Sequence, residues 1–240
     1  ILVKGRYAKN RVCPMNKTKG ECLNCKPCAI LSGYGGAGTF SDGKLNFIPK
    51  LGKSDLFKYM SISDANKLID DTEQIFNKFK MDADVYPTNM DEALKIKEQI
   101  AKVGANLLII KQKHLGSDML PTYIQNFTNF LKKEGVEIKE NTDVTDINDL
   151  NGSYEVTYKK GKDTVTIVGK NVIVAPGRTG AKWIQELADA YNIPYTSQSI
   201  EIGVRVEVRK EILKQITDVI YDPTIFIKTS TYNDQIRTFC

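Results

Sequence analysis

Asn171-Val172-Ile173-Val174-Ala175 runs without a break into Pro176-Gly177-Arg178-Thr179-Gly180, and a helical pattern of Trp183, Ile184, Leu187, Ala188 and Tyr191 follows. A short continuous apolar run reads as a strand covered on both faces. The Pro-Gly pair ends it and turns the backbone toward the crevice at the carboxyl ends of the strands, where ligands bind in open α/β sheets. Upstream, Tyr154–Tyr158 and Thr164–Val168 read as the two arms of a hairpin turned at Gly161, and Val136–Ile147 alternates loosely. Before them Met119, Leu120, Tyr123, Ile124, Phe127, Phe130 and Leu131 stripe one face of a helix that Gly135 stops. From Asp118 to Gly180 the order is therefore helix, strand, hairpin, buried strand, Gly turn, helix, which makes the fold class α/β.

Further out, Ala105–Lys111 reads as a strand. Two helical patterns precede it, one from Ala65 to Phe79 with Ser63 as its N-cap, the other from Leu94 to Val103 with Gly104 as its stop. Ile202–Val208 alternates as a strand with Arg205 and Glu207 on its polar face. Ile1–Arg6 reads as the tail of a buried strand, and Thr238-Phe239-Cys240 lies in another. A natural domain rarely begins and ends in mid-strand, so a chain cut at both ends is expected. The 240 residues carry a net charge of +5 spread among acidic side chains, with no basic stripe that would suit a nucleic acid. No apolar run approaches the roughly 18–20 residues that span a bilayer, and no signal peptide is evident. The expected setting is cytoplasmic, away from membranes.

Four blocks carry a resemblance. Gly33-Tyr34-Gly35-Gly36-Ala37-Gly38-Thr39-Phe40-Ser41-Asp42-Gly43-Lys44-Leu45 closely resembles the signature of a bacterial family of uncharacterised FAD-dependent dehydrogenases. So do His114-Leu115-Gly116-Ser117-Asp118, Ala175-Pro176-Gly177-Arg178 and Ile202-Gly203-Val204-Arg205-Val206-Glu207. The resemblance spans essentially the whole chain. It implies the two-dinucleotide-binding-domain flavoprotein architecture: an FAD/NAD(P)-binding, Rossmann-like (glutathione-reductase-like) three-layer fold. The order from Asp118 to Gly180 follows that architecture, in which a helix and a strand lead to a small hairpin and then to a buried strand ending near the flavin. The expected division is a discontinuous FAD-binding domain of residues 1–47 plus 104–190, a helical insertion over 48–103, and the start of a substrate-facing domain over 191–240. Its Gly-x-Gly-x-x-Gly unit would lie upstream of Ile1. Val3 stands where such folds usually place a ribose-binding carboxylate, so either the ribose is held otherwise or the alignment slips by one residue.

The implied activity is that of an FAD-dependent oxidoreductase, with NAD(P)H as a candidate electron donor and a small-molecule substrate or electron acceptor as partner. Gly35, Gly36, Ala37, Gly38, Ser41, Asp42, Gly43 and Lys44 are the expected cofactor-binding loop, because a glycine-dense backbone approaches a pyrophosphate or ring without side-chain obstruction. Gly177 and Arg178 join them from the turn after the buried strand. Lys44 places a positive charge near a phosphate or the reduced flavin. His114, the sole histidine, is the second expected catalytic residue, as proton donor or substrate contact, since its ordinary pKa lies near neutrality. The loop Gly35–Lys44, the turn Pro176–Gly180 and His114 are expected to line one crevice.

Cys13, Cys22, Cys25 and Cys28 follow a C-x8-C-x2-C-x2-C spacing, with Cys240 far off. Four thiolates so spaced suit a tetrahedral zinc site or, through the doublet of x2 spacings, an iron–sulfur cluster. Free or redox-active thiols are the alternative, and disulfides suit a cytosolic protein least. The competing reading of the whole chain is a zinc-binding structural or interaction module on a degenerate, cofactor-free dinucleotide fold.

Overall fold

The computed structural model describes residues 1–18, 20–197 and 200–238. Along the chain come α1 (Met15–Thr18), β1 (Lys44–Phe47), β2 (Lys50–Leu51), β3 (Ser54–Asp55), α2 (Ile62–Lys78), β4 (Val85–Tyr86), α3 (Met90–Lys102), β5 (Ala105–Leu108) and β6 (Lys111–His114). There follow α4 (Leu120–Lys133), β7 (Asp143–Asp149), β8 (Tyr154–Lys160), β9 (Asp163–Gly169), α5 (Ala181–Ala190), α6 (Lys210–Thr217), β10 (Thr224–Lys228) and β11 (Gln235–Arg237). The protein is mixed α/β, and its sheets are small and antiparallel: β1-β6-β4, β5-β10-β11, β7-β8-β9 and the hairpin β2-β3. Among the described residues no helix is long and apolar enough to cross a membrane.

Two compact units emerge, 1–43 with 116–199 and 44–115 with 200–240. In the first, the opening segment runs parallel to the chain that follows α4. Val3 N–H donates to Lys139 O at 2.9 Å, and Lys139 N–H donates to Ile1 O at 2.9 Å. A second parallel bridge joins Arg6 to Gly33. Gly5 makes that approach possible, because a Cβ on it would lie 2.5 Å from backbone atoms of Ser32 and Gly33. The hairpin expected near Gly161 is the centre of the β7-β8-β9 meander, and Tyr158 and Val156 on β8 are buried in it.

In the second unit, Ala93 of α3, Leu107 of β5, Val219 and Ile220 form an aliphatic core, with Ile96, Ile100, Ile109 and Ile225 packed against it. β10 pairs with β5 along Thr224–Ile227 and Leu108–Ala105. That pairing draws 200–238 into the same unit as 48–103, which were expected to belong to separate parts. It also takes 44–47 and 104–115 out of the expected flavin half.

Helix α2 is capped by Ser61, whose Oγ accepts from Asp64 N–H at 3.1 Å, two residues before the expected cap. The expected strand 105–111 is two strands in two different sheets, β5 and β6. The run Asn171–Ala175 is extended but belongs to no sheet, and Ile173 is 93% exposed. The same holds for Ile202–Val208, where Ile202 and Val204 are 89% and 88% exposed. Both patterns are those of strands, but a strand forms only against a partner, and none of the described residues supplies one. Of the strand expected at Thr238-Phe239-Cys240, Thr238 follows β11 without belonging to it, and Phe239 and Cys240 lie outside the described residues.

Candidate functional site

The glycine loop belongs to the first unit. Gly33, Gly35 and Gly36 all hold positive φ (124°, 77° and 60°), and a 3-10 turn spans Gly36–Phe40. Arg11 holds this turn from beneath. Its guanidinium, 4% exposed, donates to the carbonyls of Ala29 (2.8 Å), Ile30 (2.7 Å) and Tyr34 (2.6 Å) and to Thr39 Oγ1 (3.1 Å). It also lies 4.8 Å from the centre of the Phe40 ring. Burial lowers the Arg11 pKa, against the opposing pull of Cys28, but a guanidinium remains charged. Tyr34 beside it is buried with no hydrogen-bond partner for its hydroxyl. Its phenol is pushed up to about 12, by burial first and then by Glu140 and Tyr7.

The glycines of the loop serve two purposes. A Cβ on Gly33 would lie 2.6 Å from Arg11 Cδ, and one on Gly35 would lie 2.2 Å from Thr39 Oγ1 and 2.9 Å from Ile124 Cγ1 of α4. These two glycines let the loop close on itself. Around Gly36 and Gly38 a Cβ would meet nothing within 4 Å. There no other part of the chain covers the backbone. Ser41 Oγ donates to Gly38 O (2.8 Å) and accepts from Gly43 N–H (3.2 Å), while Ala37 is half-buried and Asp42 exposed. Gly177, with φ of 66°, and the exposed Arg178 open the short turn before α5 in the same unit.

Lys44 and His114 lie in the second unit, directly opposite each other on paired strands. The register places Asn46 opposite Gln112, and Tyr86 opposite Gln112 on the other side. Directly opposed residues share a face, so one face of the β1-β6-β4 sheet carries Lys44, Asn46, Tyr86, Gln112 and His114. All five are polar or ionisable. The reverse face sends Lys111 and Lys113 to Glu73 of α2, 3.2 Å from Lys113 Nζ, which also lies 2.7 Å from Asp82 beyond that helix.

Over the polar face come Tyr221 and Asp222, set there by the burial of Val219 and Ile220 just before them and by Thr88 N–H donating to Val219 O at 3.0 Å. Asp222 pairs with Lys44, both side chains largely buried. The Tyr221 ring lies 4.1 Å from that of His114 and 5.3 Å from that of Tyr86. Gln112, 2% exposed, donates to Asn46 Oδ1 at 2.9 Å, and its own Oε1 is buried without a hydrogen-bond partner.

Cys13, Cys22, Cys25 and Cys28 are free thiols, the middle two exposed. Among the described residues no three of His, Cys, Asp and Glu gather to hold a metal ion, so Cys22, Cys25 and Cys28 do not converge as expected. Among the described residues of the loop that bears them there is one short helical turn, α1. Cys240 lies outside the described residues.

Lys44 and His114 are thus brought together, and the loop residues Gly35–Gly43 are held as a unit by Arg11. Arg11, Tyr86, Gln112, Tyr221 and Asp222 escape a reading of the sequence. Lys44-Leu45-Asn46 alternates polar with apolar, whereas Lys111–His114 is polar throughout and gives no such signal.

No family model matches the chain. It is similar to a protein of Clostridium beijerinckii described as uncharacterised, 25% identical over 187 residues, which cover 75% of this chain and 26% of that protein. The chain therefore spans about a quarter of the length of that relative.

Proposed function

We propose that the chain is part of a cytoplasmic FAD-dependent oxidoreductase of the glutathione-reductase-like class, acting on a small molecule with NAD(P)H as a candidate electron donor. The observation that carries this reading is the bare backbone at Gly36 and Gly38, in a loop whose other glycines are packed and whose shape Arg11 fixes. The parallel course of 1–5 beside 137–142, the segment that follows α4, supports the reading, since parallel pairing is the pattern of a dinucleotide-binding sheet. FAD, when bound, supplies hydride-transfer chemistry. Gly35, Gly36, Ala37, Gly38, Ser41, Asp42, Gly43, Gly177 and Arg178 would hold it by backbone and charge. Lys44 and His114, expected as the catalytic pair, lie in the other unit, and the flavin proposal rests on the loop and the turn alone.

The test is the visible spectrum of protein purified at full length. The reading expects the yellow band of an oxidised flavin, and its loss in Gly36→Val. The Val side chain enters open space within the chain, so a well-folded variant without flavin points to an excluded ligand. Folded Gly36→Val with full flavin content would sink the assignment. Zinc or iron at the cysteines is a separate proposal, decided by elemental analysis of anaerobically purified protein.

A further inference from the structure

We propose that the polar face of the β1-β6-β4 sheet, closed by Tyr221 and Asp222, is a binding site for a planar ring bearing a hydroxyl donor, a ligand of the phenol class. Three observations converge on it, all within the second unit, so the inference does not depend on flavin. The first is Gln112 Oε1, an acceptor that is buried and has no hydrogen-bond partner, on a side chain that is only 2% exposed. A buried acceptor left unpaired is costly, and a ligand O–H relieves that cost. The second is the ring cluster. Tyr86, His114 and Tyr221 lie with centres 4.1–6.2 Å apart, while Tyr221 remains 53% exposed and offers ring surface at the edge of the site. These rings pack on one another, and the exposed part of the Tyr221 ring is where a further ring would make offset or edge-on contact. The third is charge. Lys44 is paired with Asp222, so the site is close to neutral and favours an uncharged ring over a free carboxylate or phosphate.

The sole histidine makes the test direct, because its Cε1 proton gives one imidazole resonance that needs no assignment. The 240-residue protein, free of flavin, is titrated with phenol, with toluene (the ring without the donor) and with cyclohexanol (the donor without the ring). Phenol is expected to shift the His114 signal saturably, with a dissociation constant on the order of millimolar, as its few heavy atoms allow. Toluene and cyclohexanol should bind roughly tenfold more weakly, the effect of one lost hydrogen bond or ring contact. Gln112→Leu should bring phenol down to the level of toluene. If that variant does not fold, Tyr221→Leu decides, since its ring is half-exposed; it should weaken phenol about threefold to tenfold. Absence of a saturable shift, equal binding of cyclohexanol, or phenol binding unchanged in Tyr221→Leu would each overturn the inference. Displacement of phenol by riboflavin would also overturn it, by giving the face to the flavin's own ring.

Discussion

Replacing Gly5 by alanine should unfold the first unit at a markedly lower temperature. The new Cβ would lie 2.5 Å from Ser32 C, Ser32 O and Gly33 N, three backbone atoms that cannot rotate away. Moving the strands apart to ordinary contact, by roughly an ångström, breaks the approach on which Tyr34 N–H to Arg6 O (3.2 Å) depends. Overpacking of this kind costs about 1–3 kcal/mol, and the hydrogen bond adds about 1 kcal/mol. A loss of about 3 kcal/mol lowers the midpoint by about 6–12 °C for a chain of this size. Trp183 is the sole tryptophan and lies on α5, so its fluorescence follows the first unit. Gly36→Ala is the control: with nothing within 4 Å of its Cβ, it carries only the strain of φ 60°, about 1–2 kcal/mol. A Gly5→Ala midpoint within about 2 °C of the parent would refute the close approach of these strands.

Other outcomes follow from the same geometry. Arg11→Met should lower stability to urea by about 3–5 kcal/mol, because three carbonyls lose a buried donor; Arg11→Lys should recover little of it, since an ammonium lacks the fork. Equal urea midpoints for parent and Arg11→Met would contradict the buried anchor. Burial works to raise the Glu73 pKa, but Lys111 and Lys113 hold it below the usual value, as Lys113 does for Asp82. Their contribution is therefore complete above about pH 4.5 and lost as pH falls through the depressed values. Glu73→Gln should flatten that acid limb in urea titrations, and an unchanged slope would argue against the pairing. Lys113 is opposed by burial yet raised by Asp82 and Glu73, so its contribution persists below about pH 10.5 and fades above it. Lys113→Met should remove that alkaline limb, and a limb that survives would have another source. A thiol reagent should modify Cys22 and Cys25 faster than the partly buried Cys13 and Cys28; protection of all four together would instead indicate a bound metal.

The helices were legible because their signals are local. α3 and α4 carry apolar stripes, and Gly104 and Gly135 after them adopt the left-handed φ that ends a helix. α2 was legible in extent but not in its buried face, where Glu73 is 6% exposed while Leu68 and Ile75 are nearly half exposed. A carboxylate inside an apolar stripe makes sense only once Lys111 and Lys113 are seen opposite it. The polar sheet face was illegible for the same reason: Lys111-Gln112-Lys113-His114 has no apolar alternation, so nothing marks it as a strand. Lys44 and His114 were each singled out, but seventy residues separate them and only the register sets them face to face. Arg11 leaves no trace in the sequence, since a buried arginine differs from a surface one only in its partners. The runs at 171–175 and 202–208 show the opposite limit, where a strand pattern is present and the pairing is not.

The exposed valines and isoleucines also bear on heat capacity. A side chain already in water in the folded state adds nothing to the rise in heat capacity on unfolding, which follows newly exposed apolar surface. Ile173, Ile200, Ile202, Val204 and Val206 are all at least 75% exposed. The chain should therefore fall below the usual ~12–15 cal/mol/K per residue. Its stability would then curve gently with temperature, and the cold limb of that curve would lie far below the working range.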